Sequence, residues 1–167
     1  MPLVRAVTDE RDALLTFLAE QRAGVVNALR GLTDEQAATR TTASELSLAT
    51  ILKHIVRVER RWSEVAIAGR TDTGLFPDYD RAAEFRFEDG DSVKVLLAEY
   101  EDVARRTEEI VAATPDLGAT ATLREPRTVR WVLLHLIQET GRHAGHADII
   151  RESIDGASAH ELAADAG

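Results

Sequence analysis

A chain of 167 residues, 44% of them hydrophobic, is long enough to bury one substantial core and short for two domains. Its net charge of -9 disfavours a nucleic-acid partner, because phosphate contacts need a basic surface, and the absence of cysteine excludes a disulfide framework and any thiolate of the protein's own. No window reaches the apolar length that spans a bilayer, and the opening MPLVRAVTDE lacks the apolar run of a signal peptide, so a cytoplasmic protein without a membrane partner is expected.

Four long helices are expected. The first runs from Thr8, read as an N-cap, to Gly31, with Leu14, Leu18, Val25, Leu29 and Leu32 as its apolar stripe. A short helical turn is expected in TDEQAATR. The second long helix spans Ser47 to Gly69, carrying Leu48, Ile51, Ile55, Val58, Trp62 and Val65 on one face. The connection from Gly69 to Asp91, with Gly74, Pro77 and EDGD, is too long for a tight hairpin and reads as a crossover. A third helix follows a capping Asp91 and ends before Pro115. After a loop through Pro126, the fourth runs from Thr128 to Ile154 and stops at the Asp155-Gly156 pair. Strand-like alternation is nowhere sustained. The pattern predicts an all-α four-helix bundle with a long crossover between the second and third long helices, formed by residues 1–156, and a flexible Ala-rich tail over residues 157–167.

The fourth helix carries the chemistry. Steps of three and four residues from Val129 pass through Val132, Leu136, Glu139, His143, His146 and Ile150, so three ionisable groups point inward along an otherwise apolar seam. Burying an unpaired carboxylate costs roughly several kcal/mol, and a divalent metal would satisfy it together with the imidazoles. Glu139 and His143 stand about 40° apart around the axis and about 6 Å apart along it, close enough to reach one ion. A further ligand must come from a facing helix, where His54 is the candidate. Two histidines and a carboxylate are a common divalent set that leaves a position open. A buried His–Glu pair without metal, and a His54 satisfied by a carbonyl, stay open as alternatives. His146 reads as a residue that touches a metal-bound water or substrate, with a general acid/base role if there is catalysis; its alternative is a bond to a carbonyl, Asp148 or Glu152. His135 reads as a boundary or interface histidine, and His160 as solvated.

Two stretches, LATILKHIVRVERRW and VRWVLLHLIQETGRHAGHADIIRESIDG, resemble the DinB-like metal-dependent superfamily, and more narrowly an actinobacterial branch of it, over nearly the whole chain to Gly156. In most of that superfamily one His of the second helix and an HxxxH pair of the fourth hold the metal. Here Glu139 stands where the first His of the pair falls, which is similar to the mycothiol-dependent maleylpyruvate isomerases and their His, Glu, His zinc site. The resemblance implies His54, Glu139 and His143 as ligands, zinc as the metal with nickel as the alternative, and His146 where many members carry Gln. It implies thiol S-transfer or isomerisation with mycothiol or a related low-molecular-weight thiol, supplied from outside because the chain has no cysteine. Arg142 and Arg57 or Arg61 are candidates for binding anionic groups, the alternative being ion pairs with Glu59 and Glu64. A metal-dependent hydrolase and a non-enzymatic, metal-stabilised small-molecule-binding or stress protein are the competing functions. Broad helix stripes, Trp131 off the main seam and the family resemblance add the expectation of a homodimer acting on a small-molecule substrate.

Overall fold

Capping side chains set the helix boundaries in the computed structural model, which describes residues 4–75 and 80–164. Asp9, one residue beyond the expected Thr8, accepts the Asp12 amide and starts α1 (Glu10–Leu29). Reciprocal capping boxes start α2 (Asp34–Ala38), through Thr33 and Gln36, and α3 (Leu48–Arg60), through Ser47 and Thr50. The helix of α3 continues over Arg61–Ile67 in wider π-type turns and ends near Gly69, whose φ of 69° is the left-handed conformation that glycine adopts without strain. Asp91 does not cap α4 (Val93–Ala113). Its carboxylate instead accepts from the buried Lys53 ammonium and from the Glu88 amide, Ser92 takes the N-cap position, and Asp34 of α2 accepts the Val93 amide at 2.9 Å. A buried ammonium needs its counter-charge more than a helix end needs a cap.

Between α4 and the last long helix the chain makes a ladder the sequence did not announce. β1 (Thr120–Thr122) and β2 (Pro126–Thr128) pair antiparallel, with Ala121 opposite Arg127. Three residues a side are too few for an alternating pattern to register. Thr128 then caps α5 (Val129–Asp155), which Gly156 stops in the left-handed conformation at φ 80°.

Long-range pairings give the helix directions. Arg130 pairs with Glu10 near the starts of α5 and α1, and Arg151 donates to the carbonyls of Ala28 and Arg30 near their ends, so the two helices run parallel. Lys53 meets Asp91, Arg60 meets Glu99 and Glu64 meets Arg106, so α3 and α4 also run parallel to each other. A parallel pair forces the chain to return along the bundle, which accounts for the crossover over residues 68–92. The core falls in two clusters. One joins Val25 and Leu29 to Leu48, Ile51, Ile55, Val93, Tyr100, Ala147 and Ile150; the other joins Leu18 to Val58, Val111, Val132, Leu133 and Leu136. This ordering makes α1 and α3 antiparallel. Polar groups occupy the level between the clusters, among them the buried Arg22–Glu59 pair and the His54–Glu139–His143 group.

The expected tail is helical where it is described. Ala159–Ala164 form α6, which packs on α1 and buries Leu162, an apolar anchor that an Ala-rich composition hides. Pro77 of the crossover and residues 165–167 of the tail lie outside the described residues.

Candidate metal centre

His54 sits on α3, almost two turns beyond the Ser47–Thr50 cap, with its ring turned inward and 3% exposed. Its Nε2 lies 3.2 Å from Glu139 Oε1 on α5, and His143 Nε2, one turn further along α5, lies 3.6 Å from the same oxygen. The His54 and His143 rings meet edge to face with centroids 4.8 Å apart. One ligand atom from each of the three residues falls within 4.8 Å of the others. Nitrogens about 2.0–2.1 Å from a tetrahedral zinc stand roughly 3.3 Å from their fellow ligands; the two Glu139 separations match this, and a small divalent ion is accommodated once the wider spacing within the group closes. The donor set suits it too. The His143 ring beside it and the hydrogen bond with His54 hold the Glu139 carboxyl far below the usual carboxylate range, so it is an anion at neutral pH. The Glu139 side chain is 29% exposed, which leaves the centre one open flank.

A fourth residue, absent from the sequence reading, completes the surroundings of His54. The crossover contributes a short 3-10 turn, Arg81–Phe85, from which Glu84 Oε2 meets His54 Nδ1 at 2.8 Å while Arg61 donates to Glu84 Oε1 at 3.0 Å. Glu84 is fully buried, and Phe85 stacks on the His54 ring with centroids 4.7 Å apart. Burial lowers the affinity of His54 for a proton, but the bonds to Glu139 and Glu84 outweigh it and hold the ring above the ordinary histidine range. Burial raises Glu84, and the His54 and Arg61 contacts bring it below the ordinary carboxylate range. No spacing rule connects Glu84 to His54: the two are 30 residues apart on different elements.

The other sequence candidates separate. His146 is beside the centre, its ring edge-on to His143 at 5.5 Å, and its buried Nδ1 has no hydrogen-bond partner among the described residues, so the expected bond to a carbonyl, Asp148 or Glu152 is not formed there. Burial, with His143 and Arg142 adding to it, holds that ring below the ordinary histidine range. His135 packs against Trp131, stacked at 5.1 Å, and against the edge of Trp62 at 5.0 Å; its boundary reading matches this position. His160 is exposed on α6. The ion pairs expected on the helix surface are rearranged. Glu59 and Glu64 are both buried; Glu59 takes Arg22, and Glu64 takes Arg60, Arg70 and Arg106, while Arg61 turns to Glu84. Arg142 is exposed on α5.

Fold and site together define a helical bundle in which two histidines and one carboxylate, brought together between parallel helix pairs, could hold a divalent ion. The family model for mycothiol-S-transferase matches residues 13–156, and the chain belongs to that family. Its structure is similar to the crystal structure of a conserved protein from Enterococcus faecalis, with a TM-score of 0.67 and 14% sequence identity, over 90% of this chain and 100% of that one. That likeness shows the fold alone. No curated protein matches the chain.

Proposed function

We propose that the protein is a metal-dependent S-transferase that uses a low-molecular-weight thiol, mycothiol in the first instance, with zinc as the metal and nickel as the alternative. The observation that carries this reading is the convergence of His54, Glu139 and His143 on one point, in a chain of the mycothiol-S-transferase family. These three side chains would hold the ion. A divalent ion there supplies positive charge that favours the thiolate form of an incoming thiol at neutral pH. The protein's own part is to bind and position. Glu139, partly exposed, marks the side from which a small-molecule substrate reaches the centre. His146, whose ring lies against His143 and whose Nδ1 has no partner among the described residues, is the residue this reading assigns to proton exchange with the ligand. Arg142 on the same helix is available for an anionic group of the ligand. The thiol must come from outside, since the chain has no cysteine.

A cytoplasmic location goes with this reading, because a free thiol persists where the compartment is reducing; among the described residues no helix is long and apolar enough to cross a membrane. A homodimer goes with it as well, supported by Phe17, Trp131, Leu134 and Ile149 standing exposed on α1 and α5. Light scattering at micromolar concentration is expected to give the dimer mass, and the monomer mass refutes that assembly.

The functional test is to load the purified protein with zinc, add mycothiol and follow the ultraviolet absorption of the thiolate across pH, then add a small electrophile. The thiol is expected to ionise at lower pH in the presence of the loaded protein and to be transferred to the electrophile. An unchanged thiol titration with no transfer refutes the reading.

A further inference from the structure

We propose that Glu84 of the crossover is the positioning residue of the metal centre: it holds the His54 ring so that Nε2 faces the ion, and it thereby couples metal loading to the folding of the crossover turn. This inference rests on the metal reading above and adds a residue that neither α3 nor α5 supplies.

Three observations support it. The first is direction: His54 Nδ1 lies 2.8 Å from Glu84 Oε2, while its Nε2 points to Glu139 and His143. A carboxylate accepting the Nδ1–H leaves Nε2 as the nitrogen that can offer a lone pair, which is how carboxylate partners fix the tautomer and orientation of metal-binding histidines. The second is that the carboxylate is itself held. Glu84 is fully buried, and its second oxygen accepts from Arg61 at 3.0 Å, so it cannot swing away from His54 without also giving up a charge-assisted hydrogen bond. The third is that the same turn grips the ring twice, since Phe85, the next residue, stacks on His54. Among the described residues the turn is also held by contacts of its own, including the Arg86 guanidinium, which donates to Asp80 across its two ends at 2.9 Å. The turn's own backbone bonds are the long Ala83-to-Asp80 and Arg86-to-Ala83 contacts at 3.2 and 3.4 Å, with Asp80 capping the Ala82 amide. The Arg86 carbonyl accepts from Lys53 at 2.9 Å.

Coupling between two equilibria is reciprocal. If a folded turn orients His54 for the ion, then the ion favours the folded turn by the same factor. Loss of such an outer carboxylate typically weakens metal binding about 10- to 100-fold, so zinc should slow exchange of the turn amides by a comparable factor.

The test measures both sides. Zinc affinity is determined by chelator competition for the wild-type protein, Glu84→Ala and Glu84→Gln, and hydrogen exchange of the Ala83 and Arg86 amides is followed with and without zinc. The expected result is a loss of about 10- to 100-fold for Glu84→Ala, a smaller loss for Glu84→Gln, which keeps a neutral acceptor, and slower exchange of both amides in zinc-loaded wild type. Nitrogen NMR of loaded wild type is expected to show a proton on His54 Nδ1. Wild-type affinity in Glu84→Ala overturns the inference, as does wild-type turn exchange that ignores zinc, a measurement that needs no variant to fold. A wild-type protein that binds no zinc overturns the metal reading itself, and this inference with it.

Discussion

Zinc should raise the melting temperature of this protein, and His143→Ala should abolish the effect. The proposed ligands come from two helices, His54 on α3 and Glu139 with His143 on α5, 85 residues apart between His54 and Glu139. An unfolded chain cannot present them together, so the ion binds the folded state selectively. With free zinc at a hundredfold excess over the dissociation constant, selective binding adds about 2.7 kcal/mol. Unfolding entropy of about 2.1 cal/mol/K per residue, taken over the 167 residues, is roughly 0.35 kcal/mol/K, which converts that gain to a shift of about 8 °C. Removing the His143 imidazole leaves two ligands, and the affinity lost should reduce the shift to about 1 °C or less at the same zinc concentration. Each protein is compared with itself, with zinc and after chelation, so the packing cost of the alanine does not enter. His160→Ala, at an exposed position on α6, should keep the full shift. Differential scanning calorimetry with elemental analysis reads both quantities. A His143→Ala protein that retains both metal and shift would show that the three side chains form a metal-free hydrogen-bonded group and that zinc binds elsewhere.

Three further outcomes follow from the polar groups around the centre. Arg22→Met should cost about 3–5 kcal/mol, because it strands the Glu59 carboxylate, 1% exposed, without its bidentate partner; urea denaturation should show most of the loss recovered in Arg22→Met with Glu59→Met, and simple additivity of the two changes would refute the pairing. His146→Gln should keep the metal and change thiol affinity or turnover, since the ring packs edge-on against His143 and is not one of the three converging side chains; metal loss as large as in His143→Ala would make His146 a ligand. Burial holds His135 below the ordinary histidine range, with Glu139 raising it and Arg61 lowering it by lesser amounts. The unfolded chain therefore takes up this proton first, and stability contributed by the neutral ring is complete above the ordinary value of about 6.5 and lost as pH falls through it toward the lowered folded value. Denaturation midpoints measured from pH 7.5 to about 5 should fall less steeply in His135→Phe, and an unchanged slope would count against the burial argument.

Local chemistry made much of this protein legible in its sequence. Ser47, Thr128 and Gly156 mark helix ends because a cap or a left-handed stop acts within three or four residues. Glu139 and His143 declare themselves because a helix repeats every 3.6 residues, so charge on an apolar seam is visible without any knowledge of the partner. His54 could be nominated from the same periodicity on α3. What lay out of reach depended on which distant group claims each side chain. Asp91 had the spacing of a helix cap, yet the buried Lys53 takes its carboxylate. Glu59 and Glu64 had the spacing of surface partners for neighbouring arginines, yet packing buries both; Glu64 keeps its neighbour Arg60 and gains Arg70 and Arg106, and Glu59 goes to Arg22 of α1. Leu162 became an anchor only because α1 offers it a surface. Glu84 had no pattern at all around it, and its role exists because parallel packing of α3 and α4 sends the crossover back past His54. Periodicity and capping are properties of a few consecutive residues and can be read from them; the partner of a buried charge is chosen by the tertiary fold, which sets which desolvated groups must neutralise one another.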